Sequence, residues 1–173
     1  IPGLSVYDND FLYVRDLGQY ELRSGIKLWR QLFHGSDGDV LFNRYFDNDI
    51  LSYSSDSLYV KYSVDFGQHT MELQDNLKDE YDCIEYLNSH QEKFASMISN
   101  IEETRHTLSF QFAFDGNRYM TVYDRRGKSS ETYSFRSNDY EIQQLYCHNG
   151  KILIFALLEK EGGFLLAEYP LEL

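Results

Sequence analysis

The residues best placed by type and spacing to do chemistry are acidic. Residues 6–14 read VYDNDFLYV and residues 44–67 read RYFDNDILSYSSDSLYVKYSVDFG, so one aromatic-Asp-Asn-Asp-apolar phrase occurs twice. Asp8 and Asp10, and again Asp47 and Asp49, offer hard oxygen ligands of the kind calcium takes. Asp37 and Asp39, in the loop HGSDGD, make a third pair of the same spacing. The complete EF-hand pattern, with its further acidic positions, fixed Gly and distal Glu, is absent. Asp and Asn also build turns, because their side chains bond the adjacent backbone and tolerate left-handed geometry. Turn chemistry is the stronger reading of all six carboxylates. Calcium ligation is kept as the sharper alternative, and no metal site is assigned.

Other reactive constellations are sparse. His34, His69, His90, His106 and His148 show no ligand spacing,. There is no G-x-S-x-G elbow, and residues 35–38 (GSDG) read as a loop. No glycine-rich phosphate cradle occurs, so no nucleotide or other cofactor is expected. With 28 acidic residues, paired carboxylates for glycoside chemistry would have to be found in space and not in sequence,. No catalytic residue is therefore named. The candidate binding residues are Arg125 and Arg126, in the basic turn Arg125-Arg126-Gly127-Lys128, and the aromatics Trp29 and Tyr45. The basic turn reads first as a solvated hairpin tip and second as an anion site. Trp29, Phe33, Tyr45 and Phe46 read first as sheet core and second as a sugar-stacking platform.

Charge narrows the partners. The formal net charge is −12, the wrong sign for a nucleic-acid backbone or an anionic membrane surface. No run of about 20 apolar residues exists to span a bilayer. Cys83 and Cys147 are too few for a disulfide framework and are not spaced for zinc,. They fit a pair or two free thiols equally well, so compartment stays open. The chain begins Ile1-Pro2-Gly3 without an initiator Met or signal peptide, as a processed product or a piece of a longer protein would,.

The elements that must position these residues are mainly strands. Tyr (15) and Phe (12) dominate the apolar set and favour pleated, half-buried surfaces,. The apolar period is two over 11–14, 26–33, 40–46, 49–54, 57–65, 99–103, 107–114, 118–124, 131–135, 142–148, 151–158 and 164–169. Ser55-Asp56, Asp115-Gly116-Asn117, Arg126-Gly127-Lys128 and Asn149-Gly150 supply hairpin turns. Only residues 79–98 change period, with Tyr81, Ile84, Leu87, Phe94 and Met97 on one stripe, which predicts a single amphipathic helix. Asp8 to Asp47 is a step of about 40 residues, the length of a four-stranded propeller blade. The Asp115 and Asn149 turns continue the series, the helix lengthening one interval. Each such turn is expected between inner strands of a blade.

The phrase FDNDIL at 46–51, with VKYSVDFG at 60–67 and LSFQFAFDGNRYMTVYD at 108–124, resembles the six-bladed β-propeller proteins of Bacteroidetes. The likeness runs from residue 37 to the end and more weakly over 4–33. It implies an NHL-like propeller, exported to the periplasm or cell surface and often a lipoprotein, of no established activity. The chain holds about half the residues six blades need, so the resemblance implies the C-terminal portion of a ring. The fold expected is all-β: antiparallel four-stranded blade-like sheets of a partial β-propeller, with one inserted helix at about 79–98. Residues 1–173 form a single domain or a fragment of one. Open sheet edges would favour self-association. The function expected is an exported binding or scaffold module for a glycan, peptide or protein partner, without catalysis. The alternative is a hydrolase or lyase whose site is assembled from propeller loops.

Overall fold

The computed structural model of the chain describes residues 2–7, 10–19, 32–43, 47–71, 80–135, 139–158 and 162–171. Four antiparallel sheets follow one another, each with its strands in sequence order. The first is the pair β1 (Pro2–Tyr7) and β2 (Tyr13–Gln19). The second runs β3 (Phe33–His34), β4 (Val40–Asn43), β5 (Asp49–Ser54) and β6 (Ser57–Ser63). The third runs β7 (Ser96–Glu103), β8 (Thr107–Phe114), β9 (Asn117–Asp124) and β10 (Ser129–Ser134). The fourth has β11 (Tyr140–His148), β12 (Lys151–Leu158) and β13 (Gly163–Pro170).

Turn chemistry fixes these registers. Ser55 and Asp56, Asp115 and Gly116, and Asn149 and Gly150 all have positive φ. That is the signature of the two-residue turns whose twist matches paired strands. The pairs Ser54↔Ser57, Phe114↔Asn117 and His148↔Lys151 close directly over them. The strands expected at 49–54, 107–114 and 151–158 are observed with those bounds.

The period of two then sorts the third sheet into two buried faces. Leu108, Phe110 and Phe112 pack with Leu41 and Ile50 of the second sheet and with Ile98 and Ile101 of β7. On the other face, Met120 and Val122 pack with Leu145, Cys147, Ile152 and Ile154 of the fourth sheet. Each fully buried side chain of this kind stabilises by roughly 1.5–3 kcal/mol. The first strands of successive sheets are neighbours, with β3 and β11 both lying against β7.

Two expectations need correction. The helix α1 covers Glu80–Ser89 and not 79–98. Ser89 Oγ bonds back to the carbonyls of Glu85 (2.8 Å) and Tyr86 (3.1 Å). The Ala95 amide is then taken by His69 O at 2.8 Å, in a parallel bridge between Thr70 and Ala95. That pairing draws the chain out into β7, so tertiary bonding overrides the helical stripe. The repeat is also out of phase at its last member. The 47–49 turn and the Asp115 turn join second to third strands, but Asn149-Gly150 joins the first and second strands of its sheet. The strand expected at 26–33 and most of its neighbourhood lie outside the described residues; only Phe33–His34 is seen as strand.

Candidate functional site

In an up-and-down sheet, alternate connections lie at opposite ends. The α1 segment, the β8–β9 turn, Phe135 after β10 and the start of β11 therefore gather at one end. Between them is a cavity of about 570 Å³. Leu87, Phe94, Met97, Phe114, Phe135 and Ile142 give it an apolar floor, and Asn88, Gln91, Asn117, Gln143, Arg118 and Glu141 supply polar groups.

Several local devices hold this shape. The Asp115 amide donates to Gln91 O at 2.8 Å, tying the β8–β9 turn to the segment behind the helix. The His69 ring lies on Phe114, centroids 4.6 Å apart, with its Nδ1 2.9 Å from Lys93 O. Tyr86, His90 and Phe94 form a ladder of rings. Met97, with φ of 61°, sits where the β7–β8 register shifts. Asn117 Nδ2 bonds Asp115 O at 2.6 Å. The side chains of Asn88, Gln91, Gln143, Arg118 and Glu141 have no hydrogen bond or ion pair to a described residue, which leaves their donors and acceptors available.

At the opposite end, the second and third sheets are joined by a buried ionic clamp. Lys61 Nζ lies 2.8 Å from both Asp39 Oδ2 and Glu103 Oε2. Glu103 has no exposed side-chain surface and Asp39 only 2%. Ser52 donates to Asp39 and Tyr62 to Glu103. The Ser36 amide donates to Glu103 at 2.9 Å, and Arg125 Nη1 stands 3.3 Å from the same carboxylate. Burial pushes both carboxyls up, but the bonds from Lys61, with Ser52 on Asp39 and Tyr62 and Ser36 on Glu103, outweigh it. Both end below the ordinary carboxylate range,. Burial pulls Lys61 down, yet its two carboxylates hold it well above its usual value. Burial and the bond to Glu103 raise the Tyr62 phenol. Gly35 is required here, since a Cβ on it would stand 1.8 Å from Asp39 Oδ1.

A 6-bladed beta-propeller family model matches residues 3–155. The chain belongs to that propeller family. A solved structure from Bacteroides fragilis, of a protein named for an inferred export, is similar with a TM-score of 0.66 at 17% identity. The match covers 87% of this chain and 46% of that one, so the chain spans about half the length of that protein. No curated protein matches the sequence. The four sheets are thus propeller blades, with β3, β7 and β11 as first strands. No described helix is long and apolar enough to cross a membrane.

Within the propeller, the candidate residues scatter. Arg125 is drawn into the clamp, bonding Thr104 O at 2.8 Å and Ser36 Oγ at 3.1 Å. Arg126 lies beside it, Nη2 3.1 Å from His106 Nε2. Neither lines the cavity at the helix end. Asp47 and Asp49 serve their turn: Asp47 Oδ1 takes the Asp49 amide at 3.2 Å and Asp49 Oδ1 takes Ser63 Oγ at 2.7 Å. Asn43 bridges the carbonyls of both at 2.9 and 2.8 Å. Asp10 follows β1 at the matching turn of the first sheet. Trp29, Tyr45 and Asp8 lie outside the described residues. No group of three or more metal-ligating side chains occurs among the described residues. At Asp37 and Asp39 the cation is the chain's own Lys61, 3.8 Å from Asp37.

The cavity as a site was not readable in the sequence because its residues come from α1 and the segment behind it, β7, the β8–β9 hairpin, Phe135 and β11. The one available signal was the apolar stripe Ile84, Leu87, Phe94 and Met97, all of which line the cavity but read in the sequence as one face of a helix.

Proposed function

We propose that this propeller is an exported, non-catalytic binding module, periplasmic or at the cell surface, which takes a glycan, peptide or protein partner in the cavity beside α1. The reading is carried by one observation: carboxamide and charged side chains without a protein partner surround an apolar floor. Its volume lies in the range of small-ligand sites,. Export is supported by the Bacteroides fragilis relative. Two carboxylates with shifted titration, Asp39 and Glu103, favour no enzyme, because they are buried in the clamp and line neither this cavity nor the cleft beside Tyr62.

The test is an amide-resolved NMR titration of the chain with glycan and peptide panels, followed by product analysis. Saturable shifts at Met97, Phe114 and Gly116, with the ligand recovered intact, are the expected result. Conversion of a panel member would replace this reading with the hydrolase or lyase alternative. Shifts confined to the clamp end would move the site.

A further inference from the structure

Independently of the cavity beside α1, we infer that the outer face of the fourth sheet is an interface, occupied by the same face of a second copy of this chain. The sequence of β12 is KILIFALL, with no polar residue after Lys151. A strand with one face in water alternates, and an unbroken apolar run belongs to a strand covered on both faces. Only one of its faces is covered here. Ile152 and Ile154 pack on the third sheet, so Leu153, Phe155 and Leu157 point to the other side,. The register sets Phe155 opposite Leu166 and Leu157 opposite Phe164, with Tyr146 opposite Leu153. The Phe155 and Phe164 rings stack at 5.2 Å. Phe164 is 68% exposed and Leu166 70%. The result is a contiguous apolar surface held on a rigid ladder.

The neighbouring sheets show what such a face takes. Leu41 and Ile50 of the second sheet pack on the third, while Phe42 and Leu51, on the opposite face, are buried as well. The third sheet is covered on both sides. Sheet on sheet is therefore the packing this chain already uses, and the fourth sheet interrupts the series. Charge favours a second copy seated on that same face. Two chains of net charge −12 repel one another wherever their general surfaces meet,. This face is the exception, because Lys151 and Glu168 at its border cancel in a pair of 2.5 Å. Glu141, opposite Leu157, is the remaining charge at its margin. A two-fold axis lays the neutral apolar patch on itself and directs the acidic remainder of both copies outward.

The experiment is sedimentation equilibrium of the 173-residue chain across micromolar concentrations, at low and high salt. A species of twice the 20.5 kDa chain mass is expected. It should tighten as salt rises, because screening relieves the repulsion between two acidic copies. Phe164→Glu should abolish the dimer, and Leu166→Ala should raise its dissociation constant at least ~10-fold, as burial of a leucine implies. Both positions face solvent in the single chain, so the dilute variants should unfold with the parent. A monomer at every concentration and salt would overturn the inference and leave the face to a blade of a longer protein. Association untouched by Phe164→Glu would overturn it as well, moving the contact to the open edge of β13 or to the exposed turn at Phe11. A dimer that salt weakens would rest on ionic contacts and exclude this face.

Discussion

The two seams of the β7–β10 blade are built from opposite materials. Toward the second sheet its buried polar contacts are built on charge: Glu103 meets Lys61 and Tyr62, and Lys61 bridges on to Asp39. Toward the fourth sheet the buried ones are neutral, and the one titratable pair among the described residues is the more exposed His148 with Glu102, Nδ1 to Oε1 3.3 Å. Gln111 Oε1 takes the Leu145 amide at 2.6 Å, while Asn100 Nδ2 bonds Gln144 Oε1 at 2.7 Å and Leu145 O at 2.9 Å. Gln111 and Asn100 are both buried. Each seam has an apolar cluster beside it. The polar part fixes how neighbouring blades register, and the choice of charge or carboxamide decides which solution conditions reach that register.

The sharpest way to break the comparison is Lys61→Met. It leaves Asp39 and Glu103 buried without their shared cation, and should cost about 3–5 kcal/mol in urea unfolding at neutral pH. Gly35→Ala should follow at roughly 2–3 kcal/mol, in the range of overpacking, because Asp39 must move to admit the methyl group,. Gln111→Leu attacks the other seam, stranding the Leu145 amide, and should cost about 1–3 kcal/mol,. Lys151→Ala removes only the exposed pair to Glu168 and should change stability by less than ~1 kcal/mol,. If Gln111→Leu cost more than Lys61→Met, the ionic seam would not be the dominant contact.

Acid separates the seams by titration. Asp39 and Glu103 have carboxyls lowered in the fold, so their contribution is complete above the ordinary carboxylate range of about 4,. It is lost as pH falls through the depressed folded values. Lys61 and Tyr62 are raised, so their contribution is complete below about 10 and is lost at higher pH,. Unfolding midpoints at pH 7, 5 and 3 should therefore hold to about pH 5 and then drop. The drop should shrink in a Glu103→Gln chain, while Gln111→Leu leaves its size unchanged. An equal drop in Glu103→Gln would place the acid sensitivity elsewhere.

Most strands were legible because period two and turn residues act locally. The turns at Ser55, Asp115 and Asn149 have the geometry their residue types require, and the strands beside them came out nearly to the residue. The helix was overextended because Phe94 and Met97 continue its stripe, while the competing bond from Ala95 to His69 lies outside any local window. The blade phase failed at Asn149 for a related reason, since good hairpin turns look alike whichever strands they join. The clamp was illegible: Lys61 sits in the alternating run SLYVKYS as a solvent-facing residue would, and only the neighbouring blade supplies Glu103 to bury it. Arg125 reads as a solvated hairpin tip because its partners are distant in sequence: Glu103 and Thr104 at the end of β7, and Ser36 ahead of β4. The cavity needed α1, β7, the β8–β9 hairpin and β11 to meet, and no spacing encodes that.

Cys147 gives the neutral seam its own clock. Its thiol is free, buried in the cluster between the third and fourth sheets, and raised in pKa first by that burial. A closed seam keeps the sulfur protonated and out of reach, so an alkylating reagent can mark it only while those two blades stand apart. With Cys83 replaced by Ser, the rate of adduct formation in the mass spectrum would count separations of one seam, undisturbed by what happens at the other.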